Sequence, residues 1–144
     1  MPATAGDGCL FCRIAGGEAA AHRLLDEPNV VAFLDVRPLF AGHTLVVPRA
    51  HVATLADLPP DAVGPFFATV QRLAGAVQAA MAAQGSFVAV NNVVSQSVPH
   101  LHVHVVPRTK GDGLKGFFWP RTRYADDAEA AAVAARIAAT LAPP

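Results

Sequence analysis

The run His100-Leu101-His102-Val103-His104-Val105-Val106 places three histidines at every second position, and Pro107 ends it. Side chains alternate between the two faces of a strand, so the run predicts a strand over 101–106 with all three imidazoles on one face. Neighbouring rings would then lie about 6–7 Å apart, as a cluster of groups that titrate near neutral pH. The run therefore predicts a strand that carries a chemical site.

Further short apolar runs and two helical patterns surround this strand. Apolar residues at three- and four-residue spacing predict a helix over 61–84 that stops at Gly85, and Asp126 or Asp127 opens an Ala-rich C-terminal helix. Connections too short for helical crossovers predict antiparallel pairing. The other predicted strands are 23–26, 30–35, 43–47 and 87–91, with a short turn or helix over 9–14. The sequence thus predicts an α+β fold with a roughly five-stranded antiparallel sheet, one long helix and one C-terminal helix.

Composition limits the class of protein. Of the 144 residues, 53% are hydrophobic and 15% charged, enough for one domain with a real core, and the formal net charge is zero. A zero balance gives no support to nucleic-acid binding, and no apolar run approaches the ~20 residues of a membrane span. The N-terminus lacks a signal-peptide pattern, which favours a cytoplasmic protein. We expect a loose leader over 1–8 and a single domain over 9–144, with its core in 9–110 and a tail and helix in 111–144.

Three interpretations of the histidine run remain open from the residues alone. The first is an ordinary polar face of a strand. In the second, histidines at alternate positions hold a catalytic Zn²⁺. In the third, a neutral imidazole attacks phosphorus while a neighbouring imidazole stabilises the developing charge.

Several segments, taken in chain order, resemble one known family. The run matches the pattern His-φ-His-φ-His-φ-φ, where φ is apolar. The other matching segments are Cys9-Leu10-Phe11-Cys12, Val31-Ala32-Phe33-Leu34-Asp35, Gly42-His43-Thr44-Leu45-Val46-Val47-Pro48 and Gln96-Ser97-Val98. Over about residues 9–110 the chain is similar to the histidine-triad (HIT) nucleotide hydrolases and transferases. The resemblance implies a HIT-like fold.

The resemblance also implies catalytic residues. His102 would attack the α-phosphorus and form a covalent nucleotidyl-imidazole, and the charged form of His104 would neutralise the transition state. The supporting groups would be His43, His100 and Ser97. The transferase branch of the family carries glutamine at the third triad position, so His104 favours a hydrolase. No catalytic metal is expected.

A nucleotide site is implied by the same resemblance. Asp35 would accept hydrogen bonds from the ribose hydroxyls, and Asn91 would reach the phosphate or ribose oxygens. Gln96, like Ser97, would hold the bridging atom of the scissile bond or protonate the leaving group. An apolar slot for a purine base would consist of Leu10, Phe11, Ile14, Phe33 and Val36. Plain core packing is the alternative for each of these apolar residues.

The two cysteines form a CxxC pair, which in a cytosolic protein indicates metal binding or redox chemistry rather than a structural disulfide. Bacterial family members that resemble this chain bind a structural zinc. The matching ligands here are Cys9, Cys12, His51 and His100, a set suited to tetrahedral zinc. The alternative is two free thiols in a packed turn.

The resemblance leaves the substrate open. The CxxC opening is similar to the Hint-like branch, which suggests a nucleoside phosphoramidate, whereas residues 107–113 are closer to the dinucleoside-polyphosphate branch. A nucleotide-binding regulator with incidental turnover and a metal-dependent hydrolase are further alternatives. Family members pair as homodimers through the long helix and an edge strand. We expect the same here, with Phe117-Phe118-Trp119 covering the partner's pocket.

Overall fold

A computed structural model describes residues 8–115 and 121–141 of the chain. The chain divides after Asp112 into two compact units, of which the first holds the sheet and the second, in its described residues, one helix. All but the last residue of the predicted leader and the whole of Phe117-Phe118-Trp119 lie outside the described residues. The expectations for them remain expectations.

The first unit is a five-stranded antiparallel sheet in the order β1-β2-β3-β5-β4. Its elements are α1 (Leu10–Ala15), β1 (Arg23–Asp26), β2 (Val30–Leu34), β3 (Thr44–Pro48), a 3-10 turn (Leu55–Asp57), α2 (Pro60–Ala80), β4 (Gly85–Val90) and β5 (Val103–Arg108). In the second unit α3 spans Asp127–Thr140. The predicted fold class is confirmed.

Several predicted boundaries are wrong, most of all those of β5 and the end of α2. The strand β5 spans Val103–Arg108 instead of 101–106, so His102 precedes the paired strand, and pairing continues through Pro107. The helix α2 ends at Ala80, and Ala82 adopts a left-handed backbone with φ of 50°. The chain leaves the helix there, so Gly85 begins β4 instead of stopping α2.

The helix α2 covers one face of the sheet because its apolar residues recur on one stripe. Phe66, Val70, Leu73 and Val77 of α2 are buried against Val46, Val103 and Val105 of the sheet, among other residues. This layer is the larger core of the unit, and the valines that alternate with the histidines of the run point into it. His102 and His104 are consequently directed away from α2.

The short helix α1 covers part of the opposite face. Its Phe11 and Ile14 pack on the other side chains of β2 and β3, namely Val31, Phe33, Leu45 and Val47. Cys9 caps the helix, since its sulfur accepts from the Cys12 N–H at 3.5 Å. At the other end Gly17 has φ of 82°, a conformation that favours glycine and lets the chain turn away.

In the second unit α3 begins as the sequence predicts. The Asp126 side chain caps it by accepting from the Glu129 N–H at 2.8 Å. None of its residues is buried within the described chain. Among the described residues, neither α2 nor any other helix is long and apolar enough to cross a membrane.

Candidate functional site

His102 lies on the α1 face of the sheet with only 3% of its surface exposed. Its Nδ1–H donates to the carbonyl of His100 at 2.7 Å. The neutral ring then carries its lone pair on Nε2, and the ring borders a cavity of about 610 Å³. The edge of the Phe11 ring packs against it, with ring centres 5.0 Å apart. His102 is therefore held in the tautomer that a nucleophilic imidazole requires.

A second pair of histidines shares a hydrogen bond beside His102. The Leu39 N–H donates to His43 Nδ1 at 3.0 Å, so the proton of neutral His43 resides on Nε2. That Nε2–H donates to His104 Nδ1, also at 3.0 Å. His104 in turn keeps its own proton on Nε2. His104 Nδ1 is thus occupied as an acceptor, and the Nε2–H remains to donate to a ligand in the cavity that His104 borders.

Burial sets the charge of this pair. Desolvation, followed by repulsion from His102 and His43, lowers the pKa of His104 to about 4. Desolvation also lowers the pKa of His43, although the Asp35 carboxylate partly offsets the effect. At neutral pH His104 is therefore an uncharged N–H donor in the free protein. The charged form expected from the sequence belongs to the transition state, where a phosphate lies beside the ring, and it stays a prediction.

Asp35 ends the hydrogen-bonded group. One carboxylate oxygen accepts from the Arg37 N–H at 2.9 Å, and the other lies 3.7 Å from His43 Nε2. Asp35, His43 and His104 offer three ligand atoms within 4.8 Å of one another. Because His43 Nε2 carries a proton, it has no lone pair for a cation. This group is better described as a proton-donating chain than as a metal site.

The cavity brings together most of the predicted nucleotide-binding residues. Asp35 and Ser97 border it together with His102 and His104. The predicted apolar slot is complete, since Leu10, Phe11, Ile14, Phe33 and Val36 all line the same cavity. The observed lining thus combines an apolar wall with polar groups concentrated near the histidines.

Two predicted residues lie elsewhere. The Gln96 side chain donates to the Ala53 carbonyl at 2.6 Å and accepts from the Val93 N–H at 3.1 Å, so it braces its own loop. Asn91 is exposed, and the described cavity lining does not include it. These two hydrogen bonds stabilise a strained loop. Val93 and Ser95 in it have φ of 67° and 60°, values that are unfavourable for residues other than glycine.

Sequence reasoning missed Arg37, which provides the only Lys or Arg among the described residues of the cavity lining. Its side chain is exposed, two residues after Asp35. The sequence feature that could have identified Arg37 is its positive charge two residues after Asp35, the residue expected to bind the ribose. Such a charge is suited to a phosphate group.

A cluster of two cysteines and two histidines lies at the N-terminus of α1. His100 Nδ1 is 3.4 Å from Cys9 Sγ and 3.5 Å from Cys12 Sγ, and His51 Nδ1 is 3.3 Å from Cys12 Sγ. All four ligand atoms lie within 4.8 Å of one another. His100 Nε2 donates to the Pro48 carbonyl at 2.8 Å, which leaves the lone pair of Nδ1 facing the sulfurs. The three histidines of the run therefore divide between two sites.

Comparison with known proteins decides the family. Residues 16–111, two thirds of the chain, match the family model of the HIT domain. The chain belongs to the HIT family. An uncharacterized HIT-like protein of Mycobacterium tuberculosis is 42% identical over 108 residues, which cover 74% of this chain and 75% of that protein.

Two further comparisons concern activity and metal. The adenosine 5'-monophosphoramidase of Saccharomyces cerevisiae is 34% identical over 123 residues, which cover 83% of this HIT protein and 74% of the yeast protein. The crystal structure of a Zn-bound histidine triad family protein from Mycobacterium smegmatis superimposes with a TM-score of 0.71 and 37% identity. That match covers 92% of this chain and 97% of the other.

The Cys₂His₂ cluster of this HIT protein fits a zinc ion. Tetrahedral zinc, with Zn–S of about 2.3 Å and Zn–N of about 2.0 Å, holds its ligand atoms about 3.3–3.8 Å apart. The three measured separations agree with that range. Burial, followed by hydrogen bonding and repulsion from Cys9, raises the pKa of the Cys12 thiol to about 11. A divalent cation would relieve this by stabilising the thiolates.

Proposed function

We propose that this HIT protein hydrolyses a purine nucleotide conjugate at its α-phosphate, through a covalent nucleotidyl intermediate on His102. The tautomer of His102 carries the proposal. Its Nδ1 proton is held by the His100 carbonyl, so Nε2 is the free nucleophile beside the cavity. The yeast phosphoramidase relative supports hydrolysis as the reaction class.

In the first proposed step, His102 Nε2 forms a bond to the α-phosphorus while the bond from phosphorus to the leaving group breaks. The neutral N–H of His104 stabilises the phosphoryl oxygens without carrying a charge of its own. Ser97 borders the cavity as an exposed hydroxyl and would give its proton to the leaving group, which departs with the electron pair of the broken bond. In the second step water attacks the same phosphorus and returns a proton to Ser97, and His102 Nε2 departs with its electron pair.

Substrate recognition uses the remaining lining of the cavity. The apolar wall formed with α1 takes the base, and the Asp35 carboxylate accepts from the ribose hydroxyls. Arg37 supplies a positive charge near the phosphate. An apolar slot with few polar groups is typical of small-molecule sites and orients the ligand through those few groups.

A structural zinc ion in the Cys9, Cys12, His51 and His100 cluster is also proposed. The separations of the donor atoms and the Zn-bound relative support it. Bound there, the metal would supply a cross-link between α1, the segment after β3 and the segment before β5. It would take no part in the reaction at phosphorus.

A homodimer is proposed on a different observation. The strand β4 lies at the edge of the sheet, and Val88 on it is 43% exposed. An edge strand presents unpaired backbone N–H and C=O groups, so an exposed apolar one can pair with a strand of another chain. Light scattering at several concentrations would give twice the chain mass of 14.9 kDa if the proposal holds.

The decisive experiment measures turnover of adenosine phosphoramidate and a diadenosine polyphosphate side by side, with His102→Ala as the control. The control should bind AMP yet lose turnover by at least ~10³-fold, because no other group replaces the nucleophile. Faster phosphoramidate cleavage would support the phosphoramidase assignment. Faster polyphosphate cleavage would favour the alternative hydrolase, and binding without turnover would favour a regulator. Near-normal turnover by the control would refute the nucleophile.

A further inference from the structure

The helix α1 forms the wall of the cavity that the proposed function assigns to the base, yet it has only six residues. Isolated helices shorter than about 12–15 residues are marginal in water, so its position depends on what holds its two ends. The Cys₂His₂ cluster holds the amino end. The carboxyl end is held by a different set of side chains that no step of the proposed function uses.

Two arginines bind the last carbonyls of α1. Arg23 Nη2 donates to the Ile14 carbonyl, and Arg49 Nη1 donates to the Ala15 carbonyl at 2.5 Å. The carboxyl end of a helix presents unpaired carbonyls and a partial negative charge, so cations stabilise it. Arg49 gives the Ala15 carbonyl a donor, and Arg23 adds a charged donor to the Ile14 carbonyl, which also accepts from the Gly17 N–H at 3.1 Å. Both positive charges favour the helix dipole at this end.

Asp26 joins the two arginines. One of its oxygens accepts from Arg49 Nη2, and the other lies 3.9 Å from Arg23 Nη1. Arg49 Nη2 also donates to the Glu27 carbonyl at 3.0 Å, which ties it to the turn after β1. The side chains of Arg23 and Arg49 are only about a third exposed, at 31% and 35%. Asp26 of β1 thus joins two arginines that both donate to the carboxyl end of α1.

We propose that Arg23, Arg49 and Asp26 form a clamp that positions α1 and thereby sets the affinity of the cavity for the nucleoside base. The clamp touches no substrate, so its members are positioning residues. The proposal rests on the proposed function, because it assumes that the cavity takes a nucleotide. Loss of the clamp should therefore weaken the binding of the base and leave the binding of the ribose and phosphate unchanged.

The reason lies in what each part of the cavity is attached to. Ile14 and Ala15, whose carbonyls receive the clamp, are buried against the sheet at 5% exposure, and Ile14 also lines the cavity. The hydrogen bonds described for the Asp35 and His104 side chains run to the Arg37 N–H and to His43, and none of them involves α1. Displacing the carboxyl end of α1 would widen the apolar slot while leaving these hydrogen bonds in place.

The test compares the affinities of AMP and ribose 5-phosphate by calorimetry for wild type, Arg49→Gln and the control Arg72→Gln. Arg72 also pairs with a side chain of the β1–β2 turn, since its Nη1 is 3.0 Å from Glu27 Oε1, but it makes no described contact with α1. For Arg49→Gln we expect the Kd of AMP to rise about tenfold, as for the loss of one charged hydrogen bond, and that of ribose 5-phosphate to stay within about twofold. Arg72→Gln should change neither.

The outcomes separate the clamp from the proposed function. If Arg49→Gln binds AMP as wild type does, or weakens both ligands equally, the clamp is refuted while the nucleotide site stands. If wild type binds neither ligand, the proposed function itself fails. Should Arg49→Gln not fold, Asp26→Asn keeps both arginines and removes only the group that joins them. It should then show the same selective loss of AMP affinity, and equal losses for both ligands would refute the clamp.

Discussion

Replacing His43 by leucine tests the chain of hydrogen bonds that fixes the tautomer of His104. The substitution places an apolar side chain of similar size at a position that is only 3% exposed. It removes the donor that faces His104 Nδ1 across 3.0 Å. His104 is then free to place its proton on Nδ1, and in that tautomer it offers a lone pair, not an N–H, to the phosphoryl oxygens.

The substitution removes two hydrogen bonds, and the effect on rate follows from the one that reaches His104, since the other joins His43 to the Leu39 N–H. A neutral hydrogen bond between buried groups contributes about 1–2 kcal/mol, and each 1.36 kcal/mol is a factor of ten in rate. We therefore expect kcat/KM for adenosine phosphoramidate to fall about 5–30-fold. The loss is smaller than that for His102→Ala because the nucleophile itself is unchanged. Affinity for AMP should change less than kcat.

The assay is steady-state hydrolysis near pH 7, with His22→Leu as the matched control. His22 is exposed and outside the described lining of the cavity, so the same substitution there should leave kcat/KM unchanged. Nitrogen chemical shifts of His104 in wild type and His43→Leu would report the tautomer directly. A folded His43→Leu protein with kcat/KM within about twofold of wild type would show that the hydrogen bond does not position His104 for the reaction.

Three further predictions concern metal, pH and backbone. Elemental analysis should find about one zinc per chain, lost in Cys12→Ser, and a protein that neither contains nor takes up zinc would overturn that site. The pKa of His104 is about 4 in the folded protein against 6.5 for an unperturbed histidine, so the unfolded chain binds more protons between those values. The free energy of unfolding should therefore fall by about 2–3 kcal/mol as the pH drops from about 6.5 towards 4, and urea midpoints for His104→Asn should lack that part. Gly42 has φ of +94°, and an added Cβ would lie 2.6 Å from Met81 Cγ, whereas Gly75 in α2 has open space around it. Thermal unfolding should show Gly42→Ala destabilised by about 2–4 kcal/mol and Gly75→Ala stabilised by about 0.5–1 kcal/mol, and equal effects would contradict the steric argument.

The sequence predicted the elements whose signals are local. The apolar stripe of α2 repeats every three or four residues, and the Asp126 cap stands next to the helix it opens, so both were found. The start of β5 was not, because pairing begins where β3 offers a partner: Val103 lies opposite Val46. The choice between a paired and an unpaired His102 depends on a strand more than 50 residues away in the chain.

The candidate site was predictable in its residues but not in its chemistry. The family resemblance named His102, His104 and Asp35, and the cavity brings them together. The charge of His104 depends on burial and on neighbouring rings that become adjacent only in the folded chain. The role of Gln96 likewise depends on the Ala53 carbonyl, and that of Arg49 on the end of α1. These are long-range main-chain contacts that no local pattern encodes.

The tautomers of three histidines are set by main-chain atoms: the Leu39 N–H, the Pro48 carbonyl and the His100 carbonyl. Every amino acid supplies a carbonyl, and every one except proline supplies an N–H. Substitution of the side chains around these three histidines therefore leaves their tautomers unchanged, and position 39 tolerates any residue but proline on this account. The chemistry of the site is in this way inherited with the path of the backbone, which leaves the surrounding side chains free to diversify towards new substrates.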